Sequence, residues 1–288
     1  MPQLADMFSP APEDGRTPPQ THSRAAFLGR AGAGLLGALV AGEAFGAQPV
    51  LAPGPARRWK GRRGSRVKRW DVLTLGNLSR NHYWGESDAK ALRPAICTCT
   101  LIQGDSFRLL VDPSLQSADE MARELDRRTG LKPRDITGVF ITHEHADHYA
   151  GLAHFPDAQW FAGAQVASLL NATKKWTRPI QPAAEMLFGA VELVPAPGHT
   201  LGLHSLRFDC DGLSVLVAGD AVATLDFWRE RRGYYNCVDF DLSRRSMEKL
   251  AALADIVVPG HDNYFLVAST DGRAAEPSVP PVPTPLSR

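Results

Sequence analysis

The chain has 288 residues, 44% of them hydrophobic, an ordinary globular composition with enough apolar material for one large core or two smaller ones. Its formal net charge of +1 is unevenly spread: residues 1–69 hold 11 Lys/Arg against 4 Asp/Glu, whereas residues 70–288 hold 21 against 27. The body is therefore mildly acidic and lacks the basic footprint of a nucleic-acid partner, and four cysteines, Cys97, Cys99, Cys210 and Cys237, are too few and too irregularly spaced for a disulfide framework or a zinc ribbon.

Along the chain, residues 1–47 read as an export signal. After a Pro-rich opening comes Ser23-Arg-Ala-Ala-Phe-Leu-Gly-Arg30, then an apolar Gly/Ala-rich run to Gly42 that is too short to span a bilayer, then small residues near Gly46 and Ala47. The Ser-Arg-x-x-Phe-Leu run resembles the twin-arginine type, with Ala25 where the second arginine would stand. Residues 48–69, with Pro53, Pro55 and eight basic residues from Arg57 to Arg69, read as a solvated linker, because the interleaved aromatics of a nucleic-acid platform are missing.

From 70 to 266, short apolar runs alternate with helical patterns. Strands are expected at Val72–Leu75, Ala95–Ile102, Phe107–Val111, Gly138–Thr142, Gln159–Phe161, Val191–Pro195, Ser205–Phe208, Ser214–Ala218 and Ile256–Val258. Helices are expected at Ser117–Thr129, with Ser117 and Glu120 as a capping box and Gly130 as the stop, at Gln165–Lys174 and at Leu242–Leu253. Strand-rich halves, each finished by helices, predict an α/β fold of two face-to-face sheets with helices outside. Cys97 and Cys99 read as small buried apolar residues. The Pro-rich segment 267–288 reads as a disordered tail.

The chemistry gathers at strand ends. The apolar strands run into Asp112, His143, Asp220 and His261, and a further strand, through Ala196-Pro-Gly198, delivers His199. Loops at one end of a sheet assemble a cleft, so residues far apart in sequence can meet there. The densest cluster is His143-Glu-His-Ala-Asp-His148: in an extended turn His143 and His145 point the same way, and Asp147 and His148 offer a carboxylate and an imidazole to a neighbour. Three nitrogens with an open position suit a catalytic zinc site. His154 and His204 read as structural.

This pattern resembles the metallo-β-lactamase superfamily, whose five motifs match Asp112, His143-Glu-His-Ala-Asp-His148, His199, Asp220 and His261 in order over roughly residues 70–265. The resemblance implies a four-layer αββα sandwich and a metal-dependent hydrolase with two divalent ions, zinc by default and iron or manganese as alternatives. It implies one ion on His143, His145 and His199, the other on Asp147, His148 and His261, with Asp220 between them, a bridging hydroxide as nucleophile oriented by Asp147, and Asp112 as a supporting aspartate.

Within the superfamily, Ala196-Pro-Gly-His-Thr-Leu-Gly-Leu-His-Ser-Leu206 and the Gly219-Asp220 turn look most like the lactonase branch, although that branch places a tyrosine where this chain has Ala223. The run Ala254-Asp-Ile-Val-Val-Pro-Gly-His261 is similar to the metallo-β-lactamase domain-containing protein 1 group, for which RNA cleavage is implied. Glyoxalase-II-like thioesterases carry a helical C-terminal substrate domain, and 27 residues follow His261 here; true β-lactamases commonly bind metal through cysteine at the position of Asp220. The leading expectation is hydrolysis of a small ester or lactone, with a phosphodiester second, β-lactam or thioester chemistry behind, and a non-catalytic binding module disfavoured. Two loops, Gly76–Gly85 and Leu225–Asn236, are expected to wall the pocket, with Trp84, Trp228, Tyr234 and Tyr235 as substrate-contacting side chains and Tyr234 or Tyr235 as a replacement oxyanion donor. The export reading predicts that protein recovered from a bacterial periplasm starts near Gln48 by N-terminal sequencing; an intact Met1 in that fraction would refute it.

Overall fold

The computed structural model describes residues 66–267; the export-signal run, most of the basic linker and the Pro-rich tail lie outside the described residues. The strands are β1 Val67–Thr74, β2 Cys99–Gly104, β3 Arg108–Val111, β4 Gly138–Ile141, β5 Gln159–Ala162, β6 Gln181–Pro182, β7 Met186–Leu187, β8 Val191–Pro195, β9 His204–Cys210, β10 Leu213–Gly219, β11 Ile256–Pro259 and β12 Phe265–Leu266. The helices are α1 Ala118–Thr129, α2 Ala164–Ala172, α3 Leu225–Arg229 and α4 Phe240–Ala251.

Two six-stranded sheets form, in the orders β1-β2-β3-β4-β5-β6 and β12-β11-β10-β9-β8-β7. In the first, β3, β4, β5 and β6 run parallel; in the second, β10 and β11 are the parallel pair. Central strands are apolar on both faces because both faces are covered. Leu109 and Val111 join Phe140, Phe208, Val215, Val217 and Val258 between the sheets, while Leu110, Val139 and Ile141 face outward against Met121 and Leu125 of α1 and Val166 and Leu170 of α2. In the second sheet Leu216, Ala218 and Val257 turn outward to Met247 and Leu250 of α4. The period of two thus sends alternate residues to two different cores, which makes the four layers helix, sheet, sheet, helix.

All nine expected strands and all three expected helices form, with shifted ends. The basic linker was expected to run to Arg69, but β1 already begins at Val67, whose side chain is buried between the sheets while Lys68 and Arg69 point to solvent. Basic side chains on an edge strand also discourage edge-to-edge pairing, so a charge-rich run and a strand are compatible. Cys97 was placed within the second strand but precedes it, and the strand instead extends to Gly104. Helix α1 has Ser117 accepting the Glu120 amide at 3.3 Å and Gly130 in the left-handed region; of the expected capping box this is the Ser117 half. Not anticipated were β6, β7, β12 and α3, each of five residues or fewer. Runs this short carry no readable period, and they form here because a neighbour supplies a partner strand or a core edge. Among the described residues no helix is long and apolar enough to cross a membrane.

Phe140 is fully buried at the centre of the inter-sheet layer. Phe140→Ala should cost about 3–5 kcal/mol of unfolding free energy, read from urea denaturation of the purified protein, with an unchanged m value.

Candidate metal centre

The parallel pairs set the position of the site. The C-terminal ends of neighbouring β3 and β4 release Asp112 and Thr142-His143, and those of neighbouring β10 and β11 release Asp220 and His261. Gly219, at φ +54°, turns the chain beyond β10 in a conformation that side chains resist, and a Cβ there would press on Thr142 of the other sheet. A Cβ at Gly260 would collide with the Asp220 carboxylate.

His143, His148, His199, Asp220 and His261 are all buried, while His145 and Asp147, in and beside the 3-10 turn Ala146–His148, are partly open to solvent. Nε2 of His143 and Nε2 of His199 stand 3.0 and 2.9 Å from Nδ1 of His145, and Oδ2 of Asp220 lies 3.2 Å from Nε2 of His199. On the other side of the same carboxylate, Oδ1 of Asp220 lies 3.2 Å from Nε2 of His148 and 3.2 Å from Nε2 of His261, with Oδ2 of Asp147 at 3.8 and 3.6 Å from those two nitrogens. Two donor groups result, His143-His145-His199-Asp220 and Asp147-His148-His261, with Asp220 spanning both.

The outer nitrogens decide which way the lone pairs point. Asp112, at φ +51°, accepts from the Thr142 amide at 2.8 Å and the Thr142 hydroxyl at 2.7 Å, and its Oδ2 takes Nδ1–H of His148 at 2.8 Å. Because the Thr142 hydroxyl has given its proton to Asp112, it accepts from Nδ1 of His143 at 3.1 Å. Nδ1 of His261 donates to the carbonyls of Asn77 and Ile96 at 3.1 and 3.0 Å. Every one of these bonds leaves Nε2 as the inward-facing nitrogen, the atom that would coordinate once it carries no proton. Nε2 of His148 and Oδ1 of Asp220 are buried polar atoms without a hydrogen-bond partner of their own, and the single Nδ1 of His145 cannot satisfy both of the Nε2 atoms that face it. A divalent cation in each group would satisfy all of them, so the residues present fit a metal pair, and the nitrogen and carboxylate donors suit zinc, iron or manganese.

Electrostatics agree. Burial drives His143 well below the ordinary histidine range and His199 down to about 4, which keeps both neutral and ready to coordinate. Burial also opposes charge on Asp220, but His261, His148 and His199 outweigh it and hold its carboxyl well below the usual carboxylate range. For His148 and His261 burial is again opposed, by Cys97, Asp220 and Asp112 for the first and by Asp220 and Asp147 for the second, and both are raised.

The sequence-predicted residues meet with some exceptions at the periphery. Asp112, His143, His145, Asp147, His148, His199, Asp220 and His261 converge as described. The two expected wall loops do pack on each other: Tyr83 meets Phe227 edge to face, and the Trp84 indole donates to Asp226 at 3.1 Å. Tyr234 is hydrogen-bonded to Ser79 and the Arg80 carbonyl, which engages the phenol proton, and the Tyr235 hydroxyl accepts from the His82 amide at 3.3 Å, so both phenols stand at the loop junction. Trp228 packs on Phe265 at the edge of the α4 core, away from the expected pocket wall, because α3 turns it toward that sheet. His154 and His204 bond the carbonyls of Gln116 and Gly202, structural roles as expected. Cys97 and Cys99 are fully buried; burial pushes the Cys97 thiol up to about 12, and it donates to the carbonyls of Asp147 and Asp112 beneath the site. Sequence reasoning missed Thr142, whose only signal was its place beside His143, and the Thr200 hydroxyl that donates to Glu144 at 3.0 Å and ties the His143-His145 loop to the His199 loop. It also missed Cys237, which lies 3.8 Å from Nδ1 of His199 and carries no motif.

A four-layer sandwich with this donor constellation at its strand ends is the architecture of a metal-dependent hydrolase. The family model for the metallo-beta-lactamase superfamily matches residues 92–261, and the chain belongs to that superfamily. Its similarity to the metallo-beta-lactamase domain-containing protein 1 of Xenopus laevis is 33% identity over 179 residues, 58% of this chain and 71% of that one. The N-acyl homoserine lactonase AttM of Azorhizobium caulinodans is 29% identical over 168 residues, 46% of this chain and 60% of that one. Among solved structures, the dizinc quorum-quenching lactonase AidC, in complex with a product N-hexnoyl-L-homoserine, aligns with a TM-score of 0.51 at 20% identity over 60% of this chain and 75% of that one, a likeness of fold.

Because His148 and His261 are raised in the metal-free protein, filling the site must expel protons. Calorimetric titration of the metal-free protein with zinc should show two equivalents bound, with proton release near neutral pH and an apparent affinity that falls as the pH drops. His145→Ala should lose one equivalent; uptake of two by that variant, or of none by the unsubstituted protein, would refute the assignment.

Proposed function

We propose that this chain hydrolyses a small carboxyl ester or lactone at a two-metal centre held by His143, His145 and His199 on one side, Asp147, His148 and His261 on the other, and Asp220 between. When bound, such a pair of divalent cations, zinc being the default, supplies charge stabilisation for the attacked carbonyl and hydroxide at neutral pH. Asp220 links the two groups, with Oδ2 facing His199, Oδ1 facing His148, and Nε2 of His261 within 3.3 Å of both oxygens. Asp147 is the most open of the carboxylates in the centre, with 22% of its side chain exposed, and it is the group placed to orient an attacking water and to hold its proton. Asp112 and Thr142 act from behind by holding His143 and His148.

The observation that carries the substrate class is the rim. Leu201 and Val238 are 54% and 64% exposed beside His199, and the Val238 amide is bonded to the His199 carbonyl at 3.1 Å. Among the described residues no Lys or Arg side chain is bonded to any member of the centre, which favours a neutral, partly apolar substrate over a polyanion. Leu203, Ala221, Val222 and Ala223, which follow the ligands in sequence, are buried and take no part in this exposed rim. Likeness to the lactonase AttM supports the same reading.

A phosphodiester is the second reading. It is favoured by Arg229 at the end of α3 and Arg231 and Arg232 just after it, and by the 33% identity to metallo-beta-lactamase domain-containing protein 1. A panel of acyl-lactones and aryl esters should give higher kcat/KM than bis-aryl phosphodiesters, β-lactams or single-stranded RNA. A tenfold preference for RNA or the phosphodiester, about 1.4 kcal/mol of transition-state discrimination, would make the arginines decisive and reverse the ranking.

A further inference from the structure

Four of the five imidazoles of the centre, those of His143, His148, His199 and His261, have a partner on the outer nitrogen, and the partners differ in kind. His148 has the Asp112 carboxylate, His143 the Thr142 hydroxyl and His261 two carbonyls. Behind His199 stands sulfur: Sγ of Cys237 lies 3.8 Å from Nδ1 of His199 and 3.8 Å from Oγ of Ser243. A thiol has one proton. With that proton directed to Ser243, the sulfur lone pairs face the imidazole N–H, so the chain of donors runs from His199 to Cys237 to Ser243.

The thiol is held there from several directions. The Cys237 amide donates to the Tyr234 carbonyl at 2.9 Å, and the next two amides, of Val238 and Asp239, donate to the carbonyls of His199 and Gly198 at 3.1 and 3.0 Å. Gly233 lies so close that a Cβ would strike both the Cys237 sulfur and the Ser243 side chain. Gly198, at φ +140°, brings the His199 loop onto the Ser243 backbone, where a Cβ would also collide. The segment after α3, the start of α4 and the His199 loop therefore close around one sulfur atom.

We propose that Cys237 is a positioning residue for the metal centre: its sulfur takes Nδ1–H of His199 and so aims Nε2 of that imidazole at His145 and Asp220. This rests on the reading of the centre given above. Sulfur is the weakest acceptor among the four partners, so His199 is the least electron-rich of these ligands, and the His143-His145-His199 group has neutral backing where His148 has a carboxylate. That group holds its cation less tightly than the other, and Cys237 sets how much less.

The test is a cobalt(II) titration of the full-length, metal-free chain, followed by visible absorption and by competition with a chelator, with no substrate present. Cys237→Ala should weaken one of the two cobalt ions by about tenfold and alter its absorption bands, with the other ion and the thermal midpoint of the metal-free protein unchanged; Cys237→Ser should restore most of the affinity. Two cobalt ions bound by Cys237→Ala with unaltered affinities and spectrum would overturn the proposal while leaving the centre intact. Failure of the unsubstituted chain to bind a pair would instead overturn the centre and the proposal with it. A second measurement needs no variant: nitrogen-15 histidine spectra of the zinc-loaded protein should show His199 protonated at Nδ1, and a His199 without a proton on Nδ1 refutes the role of Cys237.

Discussion

Buried nitrogen lone pairs that face one another around a carboxylate are the constraint on which this structure turns. Nε2 atoms of His143 and His199 approach Nδ1 of His145 to 3.0 and 2.9 Å, and Asp220 presents an oxygen to His199 on one side and to His148 and His261 on the other. Taken without a cation, such an arrangement leaves acceptors unsatisfied at a cost of roughly 1–3 kcal/mol each. The fold tolerates it because the outer nitrogens of His143, His148, His199 and His261 are each held by a partner, and the strands that carry the ligands are locked into two cores. Stability of the scaffold thus maintains a locally unfavourable cluster that a bound cation would relieve.

The two sheets divide the labour. The first sheet delivers the His143–His148 loop and its support, Asp112 and Thr142; the second delivers Asp220 and His261, and β8 leads to His199. No single sheet holds a complete donor group of the kind described. The glycines at 219 and 260 allow the strand ends to come close enough for one carboxylate to reach both groups. Around this shared centre the chain-specific features lie in the segment from α3 to α4, which provides the junction with the 76–85 loop, the arginines, the exposed Val238 and the sulfur behind His199.

Much of the centre was legible in the sequence because its chemistry is local. The run His143-Glu-His-Ala-Asp-His148 places four donors in one turn, and the remaining ligands sit directly after long apolar strands whose period of two is readable in any context. The short elements β6, β7, β12 and α3 were not readable, since five residues or fewer show no period. Nearness to a ligand in sequence is likewise no guide to exposure: Leu203, Ala221, Val222 and Ala223 lie close to His199 or Asp220 along the chain, yet all four are buried.

The sequence by itself determined the layered α/β fold, the family and the set of groups able to bind metal, because residue type, strand period and turn chemistry depend on near neighbours. Tertiary structure alone decided what stands behind each imidazole and what faces the substrate. Trp228 turned to Phe265, the two phenols turned to the 76–85 loop, and Cys237, without any motif, came to rest against His199. Those outcomes depend on which surfaces meet when two sheets and four helices pack. Such long-range contacts leave no periodic trace in the segments that make them.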